Sequence, residues 1–181
     1  MFYSLLKKVL VLLAILLIAR YCLTSFYLKK PYNEYVEKYS KEYNIDENFV
    51  YAVIFCESRF DPKALSHKGA KGLMQIADIT GAWGADVLKL ENFQTEDVFD
   101  EETNIKIGCW YLGLLSNQYG DEAVVLAAYN AGSGNVSKWL SDEEYSKDGK
   151  SFDSIDVIPF KETSQYVKKV KVVNFLYDLL Y

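Results

Sequence analysis

An unbroken run of apolar residues, Phe49–Cys56, ends at an acid, Glu57, and this junction constrains the fold of the chain more than any other feature. A helix that buries this run brings position 57 onto or beside the buried face. An acid there is poorly solvated, and burial raises the pKa of a carboxyl, as a general acid near neutral pH requires. Pro62 pushes Asp61 out of the helical region and ends the helix. Glu57 is therefore predicted at a helix–loop junction, where functional sites are commonly built.

The rest of the chain after Pro31 is predicted to be helical, because no stretch alternates apolar and polar residues convincingly with period two. Tyrosines recur at helical spacing between Tyr32 and Tyr43, and Asp46 is a suitable N-cap for the helix that carries Glu57. The domain is therefore predicted to be all-α or nearly all-α. Further helices are expected at Leu73–Ile79, from Asp100 or Thr103 to about Tyr119, and at Glu122–Tyr129, Asn135–Leu140 and Thr163–Leu180; loops are expected at Asp61–Gly72, Gly81–Thr103, Asn130–Gly134 and Ser141–Ser154.

The N-terminal segment Val9–Leu28 contains 20 residues, about the number needed to cross a bilayer. Arg20 costs about 2.5–3.5 kcal/mol on an insertion scale, whereas the nine Val, Leu and Ile residues of Val9–Ala19 each return about 0.3–0.6 kcal/mol. Snorkelling lowers the cost of the arginine further. We therefore predict a basic flank at residues 1–8, a transmembrane anchor at residues 9–28 and a folded domain at residues 29–181.

A cleaved signal peptide is the alternative for this segment, because paired lysines at positions 7–8 precede an apolar run. Tyr21 stands where a cleavage site needs a small residue, and the residues before Cys22 are too bulky for a lipoprotein signal. An uncleaved anchor is therefore favoured. The lysines at 7–8 and at 29–30 nearly cancel as a signal for orientation.

The charge of the folded part argues against nucleic acid as a partner. Of 20 basic and 25 acidic residues, five basic and no acidic ones lie within the first 30 positions, which leaves a net charge of about −10 beyond them. Binding to nucleic acid rests on neutralisation of phosphates by Lys and Arg.

The sequence offers little for metal, cofactor or nucleophilic serine chemistry. It contains no HExxH motif, no paired Cys/His spacing and no phosphate-binding loop, so neither a metal nor a cofactor is expected. His67 is the only histidine and follows Ser66, and neighbours in sequence rarely form a Ser-His-Asp triad, so His67 is expected to be a solvated loop residue. The cysteines Cys22, Cys56 and Cys109 cannot all pair internally; for the last two, buried free thiols are favoured over a disulfide.

Four short motifs together indicate a family. They are Glu57-Ser58, SHKGAKGLMQ at Ser66–Gln75, AYNAG at Ala128–Gly132, and the late Glu162-Thr163-xx-Tyr166-Val167. Each motif is weak alone, but their order and spacing from about Tyr35 onward resemble the soluble lytic transglycosylase (SLT) domain family. That family is similar in fold to goose-type lysozyme and cuts the glycan strands of peptidoglycan. The resemblance implies a lysozyme-like helical domain with a cleft.

The resemblance also implies roles for individual residues. Glu57 matches the single acid/base of the family, while Ser66 and Gln75 match polar residues that line the cleft near the reacting sugar. Tyr129 matches a tyrosine whose hydroxyl approaches the catalytic carboxyl, and Asn130 matches the asparagine of the same motif.

Two further matches lie in the late motif, where Glu162 and Tyr166 correspond to a pair on the far wall of the cleft. The chain departs from the family at one point. Ala77-Asp78 follows Met74-Gln75-Ile76 where the family usually has Met-Pro, and that second methionine normally contacts sugar or peptide. The departure bears on substrate affinity and leaves the chemistry intact.

The number of carboxylates agrees with the reaction that the resemblance implies. An ordinary glycoside hydrolase needs two that flank the bond, but only one buried-looking acid lies within a motif here. The resemblance implies that Glu57 protonates the glycosidic oxygen and then, as a carboxylate, takes the proton of the 6-hydroxyl of N-acetylmuramic acid, which closes a 1,6-anhydro ring. The chain is thus expected to act on peptidoglycan glycan strands outside the cytoplasmic membrane.

Two other functions share these motifs. A muramidase would hydrolyse the same bond with water, and a non-catalytic glycan-binding module would serve a larger envelope complex. Individual residues also have simpler interpretations. Glu57 can form a salt bridge with Arg59, Tyr129 and Tyr166 can be core aromatics, and Glu162 suits a helix N-terminus.

Overall fold

A computed structural model describes residues 2–181, apart from the side chains of Phe2 and Ser4. Within that range the protein contains α-helices, short 3₁₀ turns and two isolated β-bridges, but no β-strand, which confirms the predicted all-α class. The α-helices are α1 (Phe2–Cys22), α2 (Asn33–Glu42), α3 (Glu47–Ser58), α4 (Asp78–Val87), α5 (Glu101–Tyr119), α6 (Glu122–Ala131), α7 (Ser133–Leu140) and α8 (Lys161–Leu180).

Helix α1 continues through a π-helical turn, Leu23–Tyr27, so one helical segment includes most of the predicted basic flank and the predicted span. Met1 lies outside the described residues. By length and composition, Leu5–Tyr27 is able to cross a membrane, and none of it is buried against the rest of the protein. A helix that is apolar all round and uncovered by protein is typical of a membrane span.

Helix α3 forms the centre of the core. Its N-terminus is capped as predicted, because the Asp46 carboxylate accepts a hydrogen bond of 2.9 Å from the Phe49 amide. Residues 49–55 are all buried, and α3 packs against α8. Helix α3 ends at Ser58, and the next two residues, Arg59 and Phe60, have positive φ (54° and 67°). This end lies a few residues before the predicted terminator, Pro62.

The last helix, α8, packs against α3 through one apolar face. Val167, Val170, Val173 and Tyr177 are buried, whereas Leu176 is half-buried. The helix begins at Lys161, two residues before the predicted start.

The prediction for residues 73–103 was wrong in two places. Leu73–Ile79 is not a helix, because residues 72–75 form a turn and α4 begins only at Asp78. The first part of Gly81–Thr103 is not irregular, because it belongs to α4. Two glycines in α4 have low helix propensity and disguised it. Close packing explains one of them, since a Cβ on Gly84 would lie 2.9 Å from a methyl carbon of Ile107.

Helix α6 packs against α5, α7 and α8. Asp100, rather than Thr103, caps α5, and Gly120 ends it with φ 73°, as predicted. Helix α6 extends past Tyr129 to Ala131, so the predicted turn at Asn130–Gly134 shrinks to Gly132, with φ 87°, between two helices.

Candidate active site

Glu57 lies in the last turn of α3, and the residue is half-buried. Burial raises the pKa of this carboxyl to about 7. Two smaller effects oppose the shift, namely the interaction with the Tyr166 hydroxyl and the positive charge of Lys169. No ion pair with Arg59 is present among residues 2–181, and Arg59 is exposed. At neutral pH the group is therefore divided between its acid and its carboxylate forms, as a residue that acts as both acid and base requires.

Two tyrosines approach this carboxyl from other helices. Tyr166 comes from α8, and its buried hydroxyl makes no hydrogen bond of normal geometry to a described residue. Tyr129 comes from α6 and donates a 2.9 Å hydrogen bond to the carbonyl oxygen of Met74. Burial, with the negative charge of Glu57 second, raises the pKa of both phenols well above the usual value. Both tyrosines are therefore neutral donors at any physiological pH.

Lys169 completes this group, although the sequence analysis did not identify it. Its ammonium group donates a 3.0 Å hydrogen bond to the carbonyl oxygen of Cys56, the residue before Glu57. Lys169 lies three positions after Tyr166 on α8, so both side chains approach the end of α3 from one face of the helix. That spacing from Tyr166 is the sequence signal by which Lys169 could have been found.

The loop that carries Ser66 and Gln75 lies next to the tyrosine pair and is held by its own polar side chains. The side-chain amide of Gln75 donates hydrogen bonds to the carbonyl oxygens of Ala64 (3.2 Å) and Gly72 (3.0 Å). The backbone of Gln75 has a positive φ of 50°. The Ser66 hydroxyl accepts a 2.9 Å hydrogen bond from the Ala70 amide. In this structure both predicted cleft residues fix the shape of the loop.

Asn104 of α5 holds this loop in place through side-chain hydrogen bonds, and it was not predicted from the sequence. Its side chain, which is 1% exposed, accepts a 2.7 Å hydrogen bond from the Met74 amide and donates to the carbonyl oxygens of Lys71 (2.9 Å) and Val98 (2.6 Å). Tyr129 donates to the Met74 carbonyl, so side chains fix both backbone polar groups of Met74. The position of Gln75 relative to Glu57 thus depends on Asn104 and Tyr129.

The other two predicted site residues connect elements around the carboxyl. The Asn130 side chain accepts a 2.8 Å hydrogen bond from the Thr163 hydroxyl, which joins α6 to α8. Glu162 is exposed in the first turn of α8, where it forms a 3.3 Å ion pair with Lys68 of the Ser66 loop. Asn130 is thus part of the framework of the site, whereas Glu162 lies at its solvent-exposed margin.

A series of aromatic rings leads away from Tyr129. Tyr129 contacts Tyr111 with ring centroids 5.6 Å apart, and Tyr111 contacts Trp83 at 6.2 Å. Trp83 packs edge-on against Trp110 at 4.9 Å, yet 47% of its surface remains exposed. We call Tyr129, Tyr111 and Trp83 the aromatic series; it extends from the Glu57 group to solvent, and aromatic rings commonly line ligand sites.

The departure from the family motif falls at the start of α4. Ala77 is the N-cap residue and Asp78 the first helical residue, where proline is often found. An acid also suits this position, because it faces the positive end of the helix dipole. Asp78 binds the ammonium group of Lys71 at 2.8 Å, and Lys71 also binds Glu96 at 3.1 Å. Asp78 thus favours the start of the helix through its negative charge, whereas proline would do so through its fixed backbone angle.

The structure also locates the histidine and the two cysteines that were considered for other chemistries. His67 is exposed on its loop, in agreement with the prediction. Cys109 is buried and Cys56 is half-buried, and both are free thiols, in agreement with the favoured interpretation except for the partial exposure of Cys56. Among the described residues, no group of three or more His, Cys, Asp or Glu side chains is placed to hold a metal ion.

The family described as Transglycosylase SLT domain matches residues 34–152. The soluble lytic murein transglycosylase of Escherichia coli strain K12 is 35% identical over 148 residues, which cover 81% of this chain and 23% of that protein. The membrane-bound lytic murein transglycosylase C of Sodalis glossinidius is 33% identical over 136 residues, which cover 68% of this chain and 36% of that protein. The chain thus spans about a quarter to a third of the length of these relatives.

The fold agrees with a solved structure of this kind. The crystal structure of the 70 kDa soluble lytic transglycosylase from E. coli superimposes with a TM-score of 0.75 and 32% identity, and the match covers 84% of this chain and 25% of that one. Glu57, Gln75 and Tyr129 fall inside the matched residues 34–152, whereas Glu162 and Tyr166 lie beyond them.

Proposed function

Because the chain belongs to the Transglycosylase SLT domain family, we propose that it is a lytic transglycosylase that cleaves peptidoglycan glycan strands. The observation that carries this proposal is the environment of Glu57. Its carboxyl has a pKa of about 7, and the effects on it besides burial come from Tyr166 and Lys169. No second carboxylate of the described residues contributes to that pKa, so the arrangement suits a mechanism in which the substrate supplies the nucleophile.

The proposed reaction cleaves the β-1,4 bond between N-acetylmuramic acid and N-acetylglucosamine. Protonated Glu57 donates its proton to the glycosidic oxygen, and the bond from that oxygen to C1 of the muramic acid breaks. The resulting carboxylate accepts the proton of the 6-hydroxyl on the same sugar, whose oxygen attacks C1 and closes a 1,6-anhydro ring. The proton returns to Glu57, no water is consumed, and one residue serves both steps.

The surrounding residues support both protonation states of Glu57. The Tyr166 hydroxyl lies next to the carboxyl, and its hydrogen bond to the ionised form stabilises the carboxylate that forms after the first step. Lys169 adds a positive charge nearby, which keeps the pKa from rising further. Tyr129 orients the Met74 peptide and, with it, Gln75.

Substrate contacts are proposed on both sides of this group. Ser66 and Gln75 present their loop to the reacting sugar, and Asn130 supports the opposite wall through Thr163. Glu162 and Tyr166 belong to α8 on that wall. The aromatic series offers flat surfaces for sugar rings farther along the strand.

Hydrolysis by a muramidase is the second candidate reaction, and it would need a base to activate water. Glu162 is the remaining acid in a motif, but it is exposed and ion-paired with Lys68, which does not favour that role. A non-catalytic glycan-binding module would have no need of a carboxyl with a pKa near 7.

Release of soluble muropeptides from purified peptidoglycan by the wild type, and its loss in Glu57→Gln, tests the proposal. Equal release by both proteins would reject it.

We propose a location for this activity on the basis of the N-terminal helix. Residues 9–28 serve as an uncleaved single-pass anchor in the cytoplasmic membrane, after the flank at residues 1–8. The domain at residues 29–181 then faces the extracytoplasmic side, where peptidoglycan lies. The uncovered apolar segment Leu5–Tyr27 supports this placement, and so does the similarity to a membrane-bound relative. The same anchor would allow assembly into a larger envelope complex.

A further inference from the structure

The outward face of α8 changes character along its length. In its first half this face is polar, with exposed Lys161 and Lys168. In its second half it is apolar, with Val172 59% exposed, Phe175 65% and Leu179 63%. These three positions are spaced by three and four residues, so they form one stripe on the helix surface. Leaving a stripe of large apolar side chains in water is unfavourable, by an amount that grows with the exposed area.

The C-terminal end of α8 is hydrogen-bonded to the last nine residues of the proposed membrane span, from Arg20 to Leu28. The Arg20 guanidinium donates a hydrogen bond to the carbonyl oxygen of Leu180. The Tyr181 hydroxyl lies within hydrogen-bond distance of the carbonyl oxygens of Thr24 (3.2 Å) and Leu28 (2.8 Å) and donates to them. The last turn of α8 is thus fixed beside the point at which the chain leaves the apolar segment.

The residues at the end of the span add to the same exposed surface. Phe26 is 76% exposed and Tyr27 is 56% exposed. The Tyr177 hydroxyl donates a 3.0 Å hydrogen bond to the carbonyl oxygen of Lys29, so the first residues after the span also follow α8. Aromatic residues and lysine at the end of a span are typical of the membrane–water interface.

We propose that this surface, formed by Phe26, Tyr27, Val172, Phe175 and Leu179, lies on the lipid bilayer and docks the domain against the membrane. The proposal rests on the proposed anchoring by the N-terminal helix, and it identifies lipid as the occupant because a spanning helix places the bilayer next to these residues. The headgroup layer is about 5–7 Å thick on each side of the hydrocarbon core. Phe175 lies about 6 Å along α8 from Leu179, which is within reach of that layer.

Lysines lie next to the apolar stripe, in the preceding turn of α8. Lys168 and Lys171 are exposed in the turn before Val172, and they pair with Asp156 and Glu122, respectively. Basic side chains beside an apolar stripe are typical of helices that rest on membranes with anionic lipids.

Docking has a consequence for the substrate. Tyr166, which faces Glu57, lies 13 residues before Leu179 on the same helix, so the carboxyl is held no more than about 20 Å above the docked end of α8. A docked domain would therefore act on glycan strands close to the membrane, whereas a domain on a free tether would reach strands farther away.

Photocrosslinking of the full chain in nanodiscs tests the proposal without reference to enzymatic activity. Phosphatidylethanolamine and phosphatidylglycerol form the bilayer, and p-benzoylphenylalanine replaces Phe175 or Leu179 in turn. The matched control carries it at Gln165, an exposed position in the polar half of α8. We expect lipid adducts, detected by mass spectrometry, at positions 175 and 179 and far fewer at 165. Circular dichroism and thermal unfolding verify that each variant is folded.

Three results would overturn the proposal. Equal lipid labelling at positions 165 and 175 would show that α8 has no preferred side toward the bilayer. Crosslinks from position 175 to a second protein chain in place of lipid would identify the stripe as a protein interface. Failure of the folded chain to incorporate into nanodiscs would remove the anchor on which docking depends. None of these results depends on whether the protein cleaves peptidoglycan.

Discussion

The carboxyl of Glu57, at the end of α3, faces the buried hydroxyl of Tyr166 on α8, and that hydroxyl has no fully formed hydrogen bond to another described residue. Burial and the phenol act on the acid in opposite directions, and burial has the larger effect. The result is a carboxyl with a pKa of about 7 and a donor already in place for its ionised form.

Glu57→Gln should abolish cleavage of peptidoglycan while the fold is retained, because glutamine keeps the shape of the side chain but cannot transfer the proton. Loss of a general acid or base typically lowers the rate by about 10²–10⁴-fold, and here one residue performs both steps. Turnover of purified peptidoglycan is the measurement. Glu47→Gln, at the other end of α3 and paired with Lys30, is the matched control and should retain activity. Cleavage by Glu57→Gln at the wild-type rate would remove Glu57 from the mechanism.

Glu57→Gln should also stabilise the protein, but only at high pH. The folded-state pKa of about 7 exceeds the ordinary value of 4.5, so the folded protein binds the proton more tightly than the unfolded chain does. Stability due to Glu57 is therefore greatest below about pH 4.5, falls as the pH rises through about 7, and is lowest above it. The ionised carboxyl then costs on the order of 2–3 kcal/mol. Denaturant unfolding at pH 4 and pH 8 should show a gain for the variant at pH 8 alone; an equal difference at both pH values would contradict a raised pKa.

The pH dependence of the rate should report the same group. Since the first step requires protonated Glu57, kcat/KM should fall as the pH rises above about 7. Lys169→Met removes a positive charge that lowers the pKa of Glu57, so this descending limb should move to higher pH. Lys168→Met, which disrupts only an exposed pair with Asp156, is the control. A limb that moves equally in both variants, or in neither, would show that Lys169 does not act on the carboxyl.

The helices that could be predicted from the sequence are those whose ends carry local signals. Asp46 and Asp100 cap α3 and α5 through bonds within one turn, and Gly120 ends α5 with a positive φ. Helix α4 lacked such a signal, because no side chain caps it at Ala77. One of its two glycines, Gly84, is explained only by close packing against α5, which involves residues distant in sequence.

In the candidate site, too, local signals could be recognised in the sequence, whereas contacts between distant residues could not. Glu57 could be identified because an acid at the end of an apolar run is a local anomaly, and the tyrosines because they belong to recognisable motifs. Asn104 and Lys169 act through contacts with residues 30 or more positions away, and their types are ordinary for exposed helix surfaces. The sequence could not show that Ser66 and Gln75 fix their own loop, since this depends on the backbone conformation near Gly72.

Trp83→Ala should weaken substrate binding without altering the products, because the exposed indole at the end of the aromatic series is proposed to contact a sugar ring. Loss of one aromatic contact corresponds to about a 2–10-fold rise in KM. Ile79→Ala, on the same helix and 82% exposed, is the matched control and should leave KM unchanged. Steady-state kinetics on soluble glycan fragments separate KM from kcat, and an equal rise in both variants would argue against a sugar-binding role for Trp83.

Product analysis tests the central claim most directly, because it asks whether the substrate or water supplies the nucleophile. Purified peptidoglycan is digested in ¹⁸O-water, and the new glycan ends are identified by mass spectrometry for the wild type and for Glu162→Gln. We predict unlabelled 1,6-anhydro-N-acetylmuramic acid ends in both, with lower activity for Glu162→Gln, since Glu162 lies at the margin of the site and pairs with Lys68. Reducing ends that carry ¹⁸O as the major product of the wild type would contradict this account and would show that the protein hydrolyses the glycosidic bond.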